Sequence, residues 1–153
     1  MRPAQKGEHM SPKQNKAIVT EIWERMARGE TTALSDAMTD DFTWVFPGVW
    51  SWAAEWSPKD VALTQMLRPL MAQFTSYASR AELVLADGDK VVVQARAEAT
   101  TVRGDRYPQT YCFILAMRNG QIAQIVEHCD TALVERVLDP LPTKAERPAE
   151  TNE

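Results

Sequence analysis

AELVLADGDKVVVQARAEATTVRGDRYPQTYCFILAMRNGQIAQIVEHC, residues 81–129, is an uninterrupted succession of strands and turns. β-Branched and aromatic residues alternate with polar ones over Ala81–Ala86, Val91–Thr101, Tyr107–Met117 and Gln121–Cys129, the period of a half-buried strand. Between them stand Asp87-Gly88-Asp89, Arg103-Gly104-Asp105 and Asn119-Gly120, compositions that close hairpins. Turns this short join neighbours antiparallel, so the stretch predicts a four-strand meander.

Working towards the N-terminus, Phe42, Trp44 and Phe46 alternate as a further strand, which Pro47-Gly48 breaks. Ser11-Pro12-Lys13-Gln14 is a capping-box start with proline at the first helical position. Ile18, Val19, Ile22, Trp23 and Met26 then recur on one helical stripe, and Gly29 stops it. Thr32–Met38 reads as a second short helix. Ser57-Pro58-Lys59-Asp60 opens a third, expected to run to about Phe74 with a bend at Pro69 and with Met66, Leu67, Leu70, Met71 and Phe74 on one face. Asp130 reads as the N-cap of a closing helix through Leu138. The predicted class is α+β: a strongly curved antiparallel sheet with three helices from the N-terminal half packed around a pocket, and a short C-terminal helix. The domain spans 11–138, with residues 1–10 and 139–153 read as flexible tails from their polar, proline-containing composition.

A chain of 153 residues, 44% hydrophobic, supplies the core of one domain. Its net charge of −4, without a basic cluster, argues against a nucleic-acid partner. Residues 1–10 lack the apolar run of a secretory signal, and no stretch has the length of a membrane span, which predicts a cytoplasmic protein. Cys112 and Cys129 lack ligand spacing, so they read as buried thiols, and neither a metal nor a cofactor is expected.

Charged residues inside strands are the candidates for chemistry. Arg96 and Glu98 share one face of their strand with Val92, Gln94 and Thr100; that face either lines a cavity or is wet, in which case the pair is only a surface ion pair. Strand alternation admits one of Glu127 and His128 to the cavity. A two-residue Asn119-Gly120 turn sets Cys112 opposite Glu127, whereas a three-residue loop sets Tyr111 and Phe113 on its face. If the carboxylates converge, Glu127 is the expected general base, Glu98 the acid and Arg96 their orienter, with His128 the alternative base. Trp44, Phe46, Trp50, Trp52, Trp56, Leu67, Met71, Tyr111, Phe113 and Cys129 are the expected ligand-binding wall.

The run TTVRGDRYPQTYCFILAMRNGQIAQIVEHCDTALVERVL, residues 100–138, with its aromatic strand, N-G-x-I hairpin and closing E-x-x-D-T, resembles the SnoaL-like branch of the nuclear transport factor 2 superfamily. The resemblance implies a cone-shaped fold. Its members include ketosteroid isomerases, limonene epoxide hydrolases, polyketide cyclases, dehydratases and non-catalytic binding modules. Against the isomerases, Phe46 stands where their aspartate precedes a proline. Against the epoxide hydrolases, Arg96, Glu98 and Glu127 look like counterparts of the catalytic set, while Thr43 and Val45 replace the water-holding pair. The resemblance therefore implies an apolar cyclic or polyketide-like ligand, cofactor-independent acid-base chemistry or binding alone, and frequent homodimerisation.

Overall fold

Ser11 caps the first helix as its sequence requires: its hydroxyl accepts from the Gln14 N–H at 3.1 Å, and the Gln14 side chain accepts from the Ser11 N–H at 2.8 Å. The structure, a computed structural model, describes residues 9–142; most of both expected tails lies outside the described residues. In chain order the elements are α1 (Pro12–Ala27), α2 (Ala33–Asp36), β1 (Met38–Phe46), β2 (Ala54–Trp56), α3 (Lys59–Val61), a π-helical segment (Ala62–Leu67), α4 (Arg68–Met71), β3 (Phe74–Asp87), β4 (Lys90–Thr101), β5 (Arg106–Arg118), β6 (Gln121–Cys129) and α5 (Thr131–Val137).

The six strands form one curved, unclosed sheet in the order β2-β1-β6-β5-β4-β3. The meander β3 to β6 is antiparallel throughout. The sheet departs from the all-antiparallel expectation at one place, where β1 lies parallel to β6; no hairpin joins these two strands, so nothing local imposes the opposite sense. Their long connection lets the chain return along the same direction. The core lies between the concave face and α1, with Val19, Ile22, Phe42, Met66, Leu115, Ile122 and Ile125 almost fully buried.

Three local readings change. The helix expected to 74 is broken into α3, the π-helical segment and α4, and it ends at Met71. Pro69 falls in the first turn of α4, directly after the widened turn, where its missing N–H removes a donor. β3 starts at Phe74 instead of Ala81, because pairing with β4 holds Ser76, Ala78 and Ser79 extended despite their low strand propensity. The chain also stays packed beyond 138. Arg103 grips both carboxylate oxygens of Asp139 at 2.9 and 3.0 Å, the Asp139 N–H donates to the Gln73 side chain at 2.8 Å, and Leu141 packs on the core.

Candidate functional site

Glu127 owes its position to an interruption in β6. The hairpin turn is Asn119-Gly120, both with positive φ (51° and 76°), as a two-residue turn of matching twist demands. It pairs Arg118 with Gln121 and Met117 with Ile122, yet Ala116 pairs with Gln124. Ala123 is therefore a bulge. The extra residue advances the register by one and sets Phe113 opposite Glu127 and Cys112 opposite His128. The turn is the two-residue form, while the face reached is the one expected of the three-residue form. Without the bulge, Cys112 would oppose Glu127. Glu127 is buried and faces inward, whereas His128 is exposed on the outer face.

Inside the concave face is a cavity of about 210 Å³. Tyr111, Phe113 and Tyr107 of β5, Glu127 and Cys129 of β6, and Tyr77 and Phe74 of β3 form its sheet wall; Trp23, Trp44, Trp50, Trp52, Leu67, Leu70 and Met71 close it from the other elements. Alanines make the room. Ala99 of β4 stands between Tyr77 and Tyr107, and Ala95 between Ala81 and Tyr111, so Tyr77 reaches across β4 and its hydroxyl donates to that of Tyr111 at 2.9 Å. Trp50 and Trp52 stack with centroids 6.4 Å apart, and the Trp50 indole N–H donates to the Pro47 carbonyl at 2.8 Å.

Two carboxyls line the cavity: Glu30, which Arg25 pairs at 2.7 Å, and Glu127. Among the described residues, no hydrogen bond or salt bridge engages the Glu127 carboxyl, and burial raises its pKa from the ordinary 4.5 to about 8. Burial also raises the Tyr77, Tyr107 and Tyr111 hydroxyls above their usual value, with the Glu127 charge adding to the effect, and it pushes the Cys129 thiol up to about 12. Burial thus favours the protonated form of Glu127, of the three tyrosines and of Cys129 alike.

The expected Arg96, Glu98 and Glu127 arrangement is not assembled. Arg96 and Glu98 project from the convex face, where Arg96 pairs with Glu82 at 3.1 Å and Glu98 with Arg106 at 3.5 Å, all four side chains being well exposed. The alternation of β4 assigns the inward face to Val91, Val93, Ala95, Ala97 and Ala99, so the charges that alternate with them face water. Of the expected wall, Trp44, Trp50, Trp52, Leu67, Met71, Tyr111, Phe113 and Cys129 do line the cavity; Phe46 and Trp56 are core residues beside it. Tyr77, Tyr107, Trp23 and Phe74 are additions. Tyr107 stands four and six residues before Tyr111 and Phe113, an even spacing that puts it on their face of the strand; Tyr77 lies in a segment whose residues carry no strand pattern of their own. Among the described residues, no group of three or more His, Cys, Asp or Glu is placed to hold a metal ion, and no helix is long and apolar enough to cross a membrane.

This sheet, cavity and helix order define a class, and the comparisons with known proteins agree on it. Residues 19–125 match the family model of the SnoaL-like domain, and the chain belongs to that family. Among solved structures it is similar to a nuclear transport factor 2-like protein of unknown function from Burkholderia pseudomallei K96243 (TM-score 0.70, 20% identity, 84% of this chain and 98% of that one). It is also similar to a protein assigned as a SnoaL-like polyketide cyclase from Jannaschia sp. CCS1 (TM-score 0.69, 20% identity, 86% and 97%). A third is an epoxide hydrolase of limonene-epoxide-hydrolase type from M. tuberculosis (TM-score 0.64, 14% identity, 83% and 90%). No curated protein matches the chain.

Proposed function

We propose that the cavity takes up a neutral, apolar cyclic or polyketide-like molecule and that Glu127 exchanges a proton with it, without an organic cofactor. The observation that carries this reading is a buried carboxyl, unpaired among the described residues, in a cavity walled mainly by aromatic and aliphatic side chains, whose other carboxyl, Glu30, is paired with Arg25. A structural carboxylate is normally held by a cation or by backbone N–H groups. A carboxyl with a pKa near the working pH is what general acid-base catalysis needs. Near pH 7 the acid form dominates, so Glu127 first donates, to a carbonyl or epoxide oxygen, and its conjugate base then recovers a proton. Isomerisation, cyclisation, dehydration and epoxide opening all fit that cycle; the cyclase and the epoxide hydrolase among the similar structures are consistent with it.

The test is a panel of polycyclic ketones, lactones and epoxides, followed first by quenching of the cavity tryptophans and then by product analysis. For a compound that turns over, Glu127→Gln is expected to lower kcat by about 10²–10⁴-fold. Arg96→Gln and Glu98→Gln, on the far face, should stay within about twofold. Turnover by the acid form should fall as pH rises through about 8. Undiminished turnover in Glu127→Gln would instead make the cavity a binding site in which Glu127 has no chemical role.

The convex face supports a second copy of the chain as partner. Leu85, Val92, Ile114, Val126 and Val45 are successive cross-strand neighbours, and they draw an apolar band across five strands. Leu85 is 53% exposed. The ion pairs of Arg96 with Glu82 and of Glu98 with Arg106 place both signs beside the band, a pattern that two-fold pairing satisfies by itself. Sedimentation at micromolar concentration should show a dimer that Ile114→Asp converts to the 17.2 kDa monomer; a wild-type chain that sediments only as monomer would remove this interface.

A further inference from the structure

Gln109 is fully buried, and all four of its amide hydrogen-bonding positions are occupied. Its Oε1 accepts from the Asp130 N–H at 2.8 Å and from the Thr110 N–H at 2.9 Å; its Nε2 donates to the Asp130 carbonyl at 3.1 Å and to the Tyr107 hydroxyl at 2.9 Å. The amide cannot be turned over, because a backbone N–H must meet oxygen and a backbone carbonyl must meet nitrogen. The direction of the last bond is thereby fixed: Tyr107 accepts from Gln109 and has no acceptor on that side for its own proton. Tyr107 lines the cavity.

We propose that Gln109 locks the Tyr107 hydroxyl into presenting its proton to the cavity, which makes Tyr107 the donor that grips a carbonyl oxygen of the ligand. The inference rests on the cavity reading above and narrows its ligand to molecules with a hydrogen-bond acceptor. The neighbouring pair points the same way. Tyr77 and Tyr111 together own two hydroxyl protons and use one between themselves, which leaves one for the ligand whichever of them donates. A planar ketone thus meets two phenolic donors, whereas the hydrocarbon of the same shape leaves both unpaired, and a site built to donate rejects such a partner. Gln109 is a positioning residue here: its amide touches Tyr107, Thr110 and Asp130 and reaches the ligand only through Tyr107.

The experiment compares 9-fluorenone with fluorene, tricyclic molecules that differ only in the carbonyl, each titrated against the full chain by tryptophan quenching. Fluorenone is expected to bind roughly 5–30-fold more tightly, the range of one to two net neutral hydrogen bonds. Gln109→Glu replaces the donor that faces Tyr107 with an acceptor, so Tyr107 turns its proton away; the preference should shrink while fluorene affinity stays the same, which a merely structural role would not produce. Tyr107→Phe keeps the ring and removes the hydroxyl, and it should reduce the preference likewise even if Gln109→Glu does not fold. Equal affinities for the two compounds in the wild-type chain, or a preference unchanged in Tyr107→Phe, would overturn the inference and leave the apolar cavity standing. Binding of neither compound would overturn the cavity reading itself, and this inference with it.

Discussion

Replacing Glu127 by Gln is expected to raise the stability of the fold at pH 9 by roughly 3–5 kcal/mol and to leave it nearly unchanged at pH 5. The sign follows from where the proton sits. The unfolded chain ionises Glu127 near 4.5, the folded chain near 8, and burial alone is the cause. Between those values the folded protein holds a proton that the unfolded one has released, so each unit of rising pH removes about 1.4 kcal/mol. Below about 4.5 both states are protonated and the group contributes no slope. Above about 8 the loss is complete, since the buried group must by then be charged. Glutamine has the same shape and no proton to lose, so it escapes the penalty. Chemical denaturation of wild type and Glu127→Gln at pH 5, 7 and 9 measures the divergence; parallel curves at all three values would show that the carboxyl is solvated or paired. A residue that destabilises its own fold at alkaline pH is retained at a cost in stability, which is what a functional group in a stability–activity trade-off looks like.

The meander was legible because alternation and turn chemistry agree there: its successive strands are joined by turns containing Gly88, Gly104 and Gly120, and the observed β6 coincides with the expected Gln121–Cys129. Which face Glu127 occupies was not legible from the turn alone. The signal lies in Ile122 and Ile125, both fully buried: two inward residues three apart cannot share one face of a regular strand, so the interval must contain a bulge. The polar side of β4 was the harder case. Val92, Gln94, Arg96, Glu98 and Thr100 alternate in the same way whether the apolar or the polar side lies inside, and only the choice of Ala95, Ala97 and Ala99 as the floor beneath Tyr77 and Tyr111 settles it. Tyr77 was lost for a different reason. Residues 74–80 are held in β3 by twelve residue pairings with β4 along the whole strand, a tertiary effect that local propensity does not report.

Phe113→Ala is the second change with a large expected effect, because it acts on the core and on the carboxyl together. Phe113 is 6% exposed. It stacks on Tyr111 with centroids 4.9 Å apart, leans on Trp23 at 5.5 Å and stands directly opposite Glu127. Removing the ring from a site this well packed should cost about 3–5 kcal/mol. The void borders a cavity that already opens outwards, so water reaches the carboxylate and its pKa should fall from about 8 towards 4.5. Phe113→Leu, which keeps most of the apolar volume, should cost less and shift the carboxyl less. Urea unfolding gives the first quantity and a carboxyl titration the second. A Phe113→Ala variant that loses stability while Glu127 titrates as before would mean that the ring packs the core without screening the carboxyl.

Glu127 as a neutral acid inside the cavity at physiological pH is the centre of the proposed function. A titration of the side-chain carboxyl carbons by NMR, in protein labelled at glutamate, reads this without reference to any ligand; Glu127→Gln identifies the resonance. One glutamate carboxyl titrating at about 8 and missing from the variant is the predicted result. If the resonance that disappears in the variant titrates near 4.5 with the surface glutamates, Glu127 is an ordinary solvated carboxylate and the acid-base reading is contradicted.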